Sequence, residues 1–200
     1  MARYTGPKNR LSRREGFDLF GKGNKLRKAG QFPGQHGPKG THRRPTGYGI
    51  QLREKQKVRK MYGIMEKQFR GYFNKARRIK GKTGEMMLRF LETRLDNVVY
   101  RLGFASSRPM ARQLVSHGHI TLDSRKINIP SFQVKPENVV SMDTQIALSP
   151  HFKALVENPD HHLPAWLDRQ VTTGKVIRLP VRSDVDSPIN EQLIVEFYSR

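Results

Sequence analysis

Leu91-Glu92-Thr93-Arg94-Leu95-Asp96-Asn97-Val98-Val99-Tyr100-Arg101-Leu102-Gly103-Phe104 is the stretch that decides the fold. With Leu88 ahead of it, Leu91, Leu95, Val98 and Leu102 recur three and four residues apart, one apolar helical stripe that Thr83 caps and Gly103 ends. Downstream, Ser106 or Ser107 caps a second, shorter helix with Pro109 in its first turn, and Gly118 closes it. His119-Ile120-Thr121-Leu122 then reads as extended chain, turns at Asp123-Ser124 and returns through Ile127-Asn128-Ile129, with Val139-Val140-Ser141-Met142 as a further short strand. Two helices packed on a small antiparallel sheet are expected from Glu92 to Val156.

Upstream, Leu52, Val58, Met61, Ile64 and Met65, then Phe69, Tyr72 and Phe73, fall at helical spacing, and Gly63 is expected to divide two helices there. Between Gly16 and Gly49 the chain changes character: nine glycines and Pro33, Pro38 and Pro45 are threaded with Lys and Arg, which blocks regular pairing and leaves an irregular arm. Such an arm is either a solubilising tail or a segment that orders on a polyanion, and Phe17, Phe20, Phe32 and Tyr48 supply faces for stacking or anchoring. Toward the C-terminus, Trp166 and Leu167 form a short apolar anchor, and Gln192 to Tyr198 is an apolar stretch that must dock.

Charge narrows the function. The first 80 residues carry 23 Lys and Arg against four Asp and Glu, so +19 of the +21 formal charge lies in that part. Self-repulsion at that density calls for a polyanion, and nucleic acid is the commonest in a cell. An anionic membrane is the rival partner, but these cations come with Gly, Pro and Gln and lack the apolar face that would sink into lipid. The chain has no cysteine, hence no disulfide framework and no thiolate zinc site. No run approaches the length of a membrane span, and the opening Met-Ala-Arg-Tyr-Thr-Gly-Pro lacks the apolar core of a signal peptide, so the chain is expected in cytosol or an organelle matrix.

Four arginines surround the corner between the two central helices. Arg94 and Arg101 lie seven apart on nearly one face, and Arg108 and Arg112 open the next helix, with Gln113, His117 and His119 close by. Their forked donors suit RNA phosphates and 2′-hydroxyls. The competing reading pairs Arg94 and Arg101 with Glu92 and Asp96, and one such pair, through Asp96, is expected. Leu114 and Val115 are assigned to the core, so replacing Arg108 and Arg112 by Ala is expected to change stability little. The polar positions Arg53, Lys55, Lys57, Arg59 and Lys60 make a cationic helix side expected to face phosphate.

Catalytic readings do badly. Lys80-Gly81-Lys82-Thr83 is the tail of a phosphate loop without its leading glycine, since Ala76 stands there after a helical pattern. His117-Gly118-His119-Ile120 permutes a tRNA-synthetase signature with no nucleotide-binding sheet before it, and no His pairs with a carboxylate at ligand spacing. No serine elbow or cysteine nucleophile is visible, so no enzyme, cofactor, metal or small-molecule substrate is expected.

Leu91 to Phe104, followed by Ser107-Arg108 and Ala111-Arg112-Gln113-Leu114-Val115-Ser116-His117-Gly118-His119-Ile120, closely resembles the RNA-binding domain named after the S-four family of small-subunit ribosomal proteins. That domain also occurs in pseudouridine synthases and some tRNA synthetases, and the flanks choose between them. Ala2-Arg3-Tyr4, Gly6-Pro7, Leu11-Ser12-Arg13-Arg14, Pro33-Gly34-Gln35-His36-Gly37, Tyr48 to Lys57, and Ile189-Asn190-Glu191 with Leu193 to Arg200 are all similar to the bacterial-type ribosomal family. The resemblance implies an α+β chain: a basic arm (1–46), a mostly helical lobe (47–91) completed by the C-terminal segment (157–200), and an inserted RNA-binding domain (92–156). It implies binding of small-subunit ribosomal RNA early in assembly, at a junction of helices in the 5′ domain. It also implies contact with neighbouring small-subunit proteins, a place beside the channel through which messenger RNA enters, and an influence on decoding accuracy. Repression of a messenger is permitted as a second role. RNA contacts are expected from Arg3, Lys8, Arg13, Arg14, Gln35, His36, Arg43, Arg44, Tyr48, Gln51, Arg53, Lys55, Lys57 and Arg59, from the corner residues Arg94, Arg101, Arg108, Arg112, Gln113, His117 and His119, and from Arg125 and Lys126. Two departures stand out. Some relatives bind zinc through cysteines that this chain lacks, and the hairpin carries Asp123-Ser124 where a Gly-containing pair is usual, which leaves a glycine-dependent turn type in doubt.

Overall fold

The computed structural model describes residues 4–23, 31–35, 37, 46–156, 162–185 and 188–200. In chain order the helices are α1 (Lys8–Glu15), α2 (Gly47–Met61), α3 (Glu66–Arg77), α4 (Thr83–Glu92), α5 (Leu95–Arg101), α6 (Arg108–Ser116), α7 (Thr144–Ala147), α8 (Pro150–Val156) and α9 (Glu191–Ser199). The strands are β1 (Ile120–Leu122), β2 (Arg125–Lys126), β3 (Val139–Met142), β4 (Leu167–Gln170) and β5 (Thr173–Val176). This is the expected α+β content. Two compact units result, Met1–Gly84 with Pro188–Arg200, and Glu85–Ser187. The division therefore falls inside the first turn of α4, and the described residues 162–185, read from sequence with the helical lobe, group instead with the central unit.

The first unit is helical in its described residues. Thr46 caps α2 by accepting from the Gly49 amide, and Gly63, at φ 62°, breaks the chain before α3 as its position predicts. Val58 and Met61 of α2 and Phe69, Phe73 and Ala76 of α3 are buried. The apolar C-terminal stretch is a helix, α9. Asn190 caps it, Ile194 is buried, Tyr198 stacks on Phe73 with centroids 4.9 Å apart, and Phe197 lies 5.6 Å from Tyr48.

In the second unit the strands form one antiparallel sheet in the order β2-β1-β3-β5-β4. The core holds Leu95 and Val98 of α5, Leu102 at its C-cap, Leu114 and Val115 of α6, Ile120, Val140 and Val176 of the sheet, and Trp166. Gly174 is required where β5 meets α5, because a Cβ there would stand 2.5 Å from Leu102 Cδ2. Three sequence expectations change. The single helix from Thr83 to Leu102 is two: Thr93 Oγ1 donates to the Arg89 carbonyl, Arg94 is extended and bridges Gln133, and the Leu95 and Asp96 amides donate to Phe132 O (2.8 Å) and Pro130 O (3.1 Å). The strand after the hairpin is Arg125–Lys126, not Ile127-Asn128-Ile129. The turn itself has Asp123 at φ 48° and Ser124 at φ 66°, so both residues occupy the left-handed region without glycine. Asp123 compensates with its carboxylate, which accepts from the Val139 amide (2.8 Å) and Asn138 Nδ2 (2.5 Å).

Candidate nucleic-acid interface

The break between α4 and α5 turns two acidic side chains inward, and they decide what the four corner arginines do. Asp96 is buried and accepts both forks of Arg94, Nε at 2.9 Å and Nη2 at 2.7 Å, together with Arg112 Nε at 2.8 Å. Glu92, 0% exposed, accepts Arg101 Nε (3.1 Å) and Nη2 (3.0 Å) and Asn97 Nδ2 (2.7 Å). Asn97 in turn accepts from Arg108 Nε at 2.8 Å, and the Arg108 guanidinium lies 4.6 Å over the Tyr100 ring. Four guanidiniums thus share two buried carboxylates and one amide.

This corrects the sequence reading of the corner. Arg94, 1% exposed, and Arg112, 8% exposed, are interior ties, so neither presents an open guanidinium. Replacing Arg112 is accordingly expected to cost stability, not to leave it unchanged. The expected Asp96 pair is present, and Glu92 adds a second with Arg101. Arg101 and Arg108 are half-buried, positioned by Glu92 and Asn97, while Gln113 and His117 are exposed and His119 is half-buried, 6.0 Å from His117 between ring centroids. Arg125 and Lys126 are exposed on β2 beside the strained turn.

In the first unit the cationic side of α2 is matched to carboxylates. Arg53 (3.3 Å) and Lys60 (2.6 Å) reach Glu15, Lys57 (3.3 Å) reaches Glu54, and Lys55 (2.9 Å) and Arg59 (3.7 Å) reach Glu66. Lys55 is buried, with its ammonium 4.7 Å from the Phe197 centroid, and Gln51, also buried, donates to Glu196. The expectation of a phosphate-facing α2 therefore fails for Gln51 and Lys55, and Arg53, Lys57 and Arg59 hold the unit together. Arg13 donates to the Gln31 and Phe32 carbonyls, and Lys8 lies 5.8 Å from the Phe20 centroid. Arg14, Gln35 and Tyr48 are exposed. Arg3, His36, Arg43 and Arg44 lie outside the described residues.

The sequence reading missed the other helix. Lys67, Arg70, Arg77, Arg78 and Lys80 are exposed, and none reaches a carboxylate among the described residues. The signal was available: after Glu66 no Asp or Glu occurs until Glu85, while seven Lys and Arg do.

Among the described residues no helix is long and apolar enough to cross a membrane, and no cluster of His, Asp and Glu is arranged to hold a metal ion. An antiparallel sheet flanked by two short helices with cations at their corner defines an RNA-binding module, and residues 93–140 match the profile described as the S4 domain. Residues 3–92 match the Ribosomal protein S4/S9 N-terminal domain. Over 209 residues, covering all of both chains, the chain is 53% identical to the small ribosomal subunit protein uS4 of Desulfitobacterium hafniense. It is likewise 50% identical to uS4A of Clostridium botulinum and 51% identical to uS4 of Dictyoglomus thermophilum, again end to end. The chain belongs to the uS4 family of small ribosomal subunit proteins, whose members are structural constituents of the ribosome and not enzymes.

Proposed function

We propose that this chain binds small-subunit ribosomal RNA directly and early, at a junction of helices in the 5′ domain, and so nucleates folding of that region. It then lies beside the channel through which messenger RNA enters, touches neighbouring small-subunit proteins and influences decoding accuracy. It works on a cytoplasmic or organellar ribosome. The observation that carries the reading is the end-to-end match to uS4 relatives joined to a surplus of exposed cations. RNA contacts fall to Arg14, Gln35 and Tyr48, to Arg101, Arg108, Gln113, His117 and His119 at the corner, and to Arg125 and Lys126 on the hairpin, with Lys8 and Arg13 at the foot of the arm. Arg3, His36, Arg43 and Arg44 belong to the same proposal through the resemblance alone. Bonds to Glu92 and Asn97 fix where the half-buried Arg101 and Arg108 guanidiniums sit at the corner.

A transcript of the 5′ domain offered to the purified chain, with no other ribosomal protein present, tests this. Tight binding that flattens when salt is raised is expected, and binding that needs a second protein would overturn the early role. Contacts to phosphate and ribose also suit a structured messenger leader. A reporter fused behind the chain's own leader falls in output on overexpression if that second role holds.

A further inference from the structure

We propose that the outward face of α3 and the loop after it form a phosphate-tracking surface for structured RNA, separate from the corner of the other unit. The inference rests on the RNA-binding reading above and assigns it a second surface. Lys67, Arg70, Asn74, Arg77 and Arg78 fall three or four apart, which confines them to an arc of about 100° on a helix of 3.6 residues per turn. Phe69, Phe73 and Ala76 point the opposite way and are buried. From Lys67 to Arg78 the stripe is about 16 Å long at 1.5 Å per residue, and Lys80 extends it into the loop.

Charge matching separates this face from α2. Glu15, Glu54 and Glu66 carry the ion pairs of α2, and Asp18 accepts from the Phe20 and Gly23 amides, so the four acidic residues of the first 80 are all engaged. Cations left exposed beside one another without a carboxylate repel, and an external polyanion removes that repulsion. A lipid surface fits poorly, because α3 buries its apolar side and the exposed apolar residues nearby, Met65 before it and Ile79 in the loop, are single side chains and form no face that would sink into lipid. Three guanidiniums in one row suit the oxygens of a ribose-phosphate backbone, read by shape without regard to sequence.

The test compares the full chain with two triple variants of equal charge, R70Q/R77Q/R78Q on α3 and R53Q/K57Q/R59Q on α2. Each binds a 5′-domain transcript at graded salt, with far-UV CD as a check on folding and phosphatidylserine vesicles as a second probe. For the α3 variant the slope of log affinity against log salt is expected to fall by about 2 to 3, at 0.7–0.9 per lost phosphate contact. The α2 variant should keep its slope. Equal losses in both variants, or none in the α3 variant, would overturn the surface, as would vesicle binding lost in the α3 variant while RNA affinity is kept. Failure of the unaltered chain to bind the transcript overturns the RNA reading itself, and this surface with it.

Discussion

Replacing Asp96 by Ala removes the carboxylate that Arg94 and Arg112 share and leaves two guanidiniums in the interior of the second unit. Breaking a buried ion pair by deleting one partner costs about 3–5 kcal/mol, because the survivor stays desolvated. Arg94 at 1% exposure cannot swing out to water, whereas Arg112 at 8% has some access, so the lower end of that range is a floor set by Arg94 alone. A unit of this size shifts by roughly 4–8 °C in Tm per kcal/mol, which makes about 12 °C the smallest expected loss. The assay is built in: Trp166, the chain's single tryptophan, is buried in the core of that unit, so its fluorescence follows urea unfolding there. D96N keeps the shape and one acceptor oxygen and should fall between wild type and D96A, since hydrogen bonds to a charged group are worth about 1.5–3 kcal/mol. Apolar replacement of all three partners, R94M/D96A/R112M, should recover most of the loss. A D96A shift below about 1 kcal/mol, the level of an exposed pair, would refute the account of Asp96 as a buried clamp.

Three further outcomes follow from particular contacts. G174A drives a methyl against the buried Leu102 and should cost about 1–3 kcal/mol by the same tryptophan signal. S124G relieves a left-handed residue in the hairpin and should stabilise by about 1 kcal/mol, while N138A frees the Asp123 carboxylate and should destabilise by a similar amount. The third concerns pH. Burial and the 2.5 Å bond to Glu66 push the Tyr198 phenol above its ordinary 10.0, so its contribution is whole below that pH and is lost as the pH rises beyond it. Burial pushes Glu66 up, but hydrogen bonds from Tyr198 and Lys55 and the charges of Lys55 and Arg59 hold it below its ordinary 4.5, so its contribution is present above 4.5 and is lost as pH falls. Docking of α9, followed by far-UV CD, should therefore weaken at both extremes, and Y198F should remove the alkaline limb and shrink the acid one, because the Tyr198 hydrogen bond is part of what holds Glu66 down.

Local signals survived the comparison with the structure wherever the deciding interaction was local. Gly63 and Gly103 end helices, Ser107 stands at the N-cap of α6, and Ile120 to Leu122 and Val139 to Met142 are strands. The break at Thr93 and Arg94 was invisible because the three-and-four spacing of leucines runs straight through it, and the carbonyls that end α4 come from residues 130–132, far along the chain. β4 and β5 were missed for a different reason: Asp168-Arg169-Gln170 and Thr172-Thr173 carry little apolar alternation, and only Leu167, Val176 and the close approach at Gly174 fix them. Candidate site residues failed by the same rule. Whether an arginine meets water or a carboxylate depends on partners such as Glu15 for Arg53, 38 residues apart, which composition does not disclose.

Net charge pointed to a polyanion as the partner of this chain's N-terminal part, yet the surplus is not spread over the cations that create it. A carboxylate buried at 1% exposure, as Glu15 is, takes two cations because one alone would leave it poorly compensated. Ion pairing thus takes up the cations that have a carboxylate close by, and those that reach none among the described residues are the ones with the least structural duty. On α2 every basic residue from Arg53 to Lys60 falls in the first group, and on α3 the stripe from Lys67 to Arg78 falls in the second. In the other unit two buried acids and Asn97 hold four arginines, with Arg94 and Arg112 buried and Arg101 and Arg108 half-buried. An RNA-binding surface in such a chain is best sought by removing the matched charges first, since the remainder, and not the total, is what a phosphate meets.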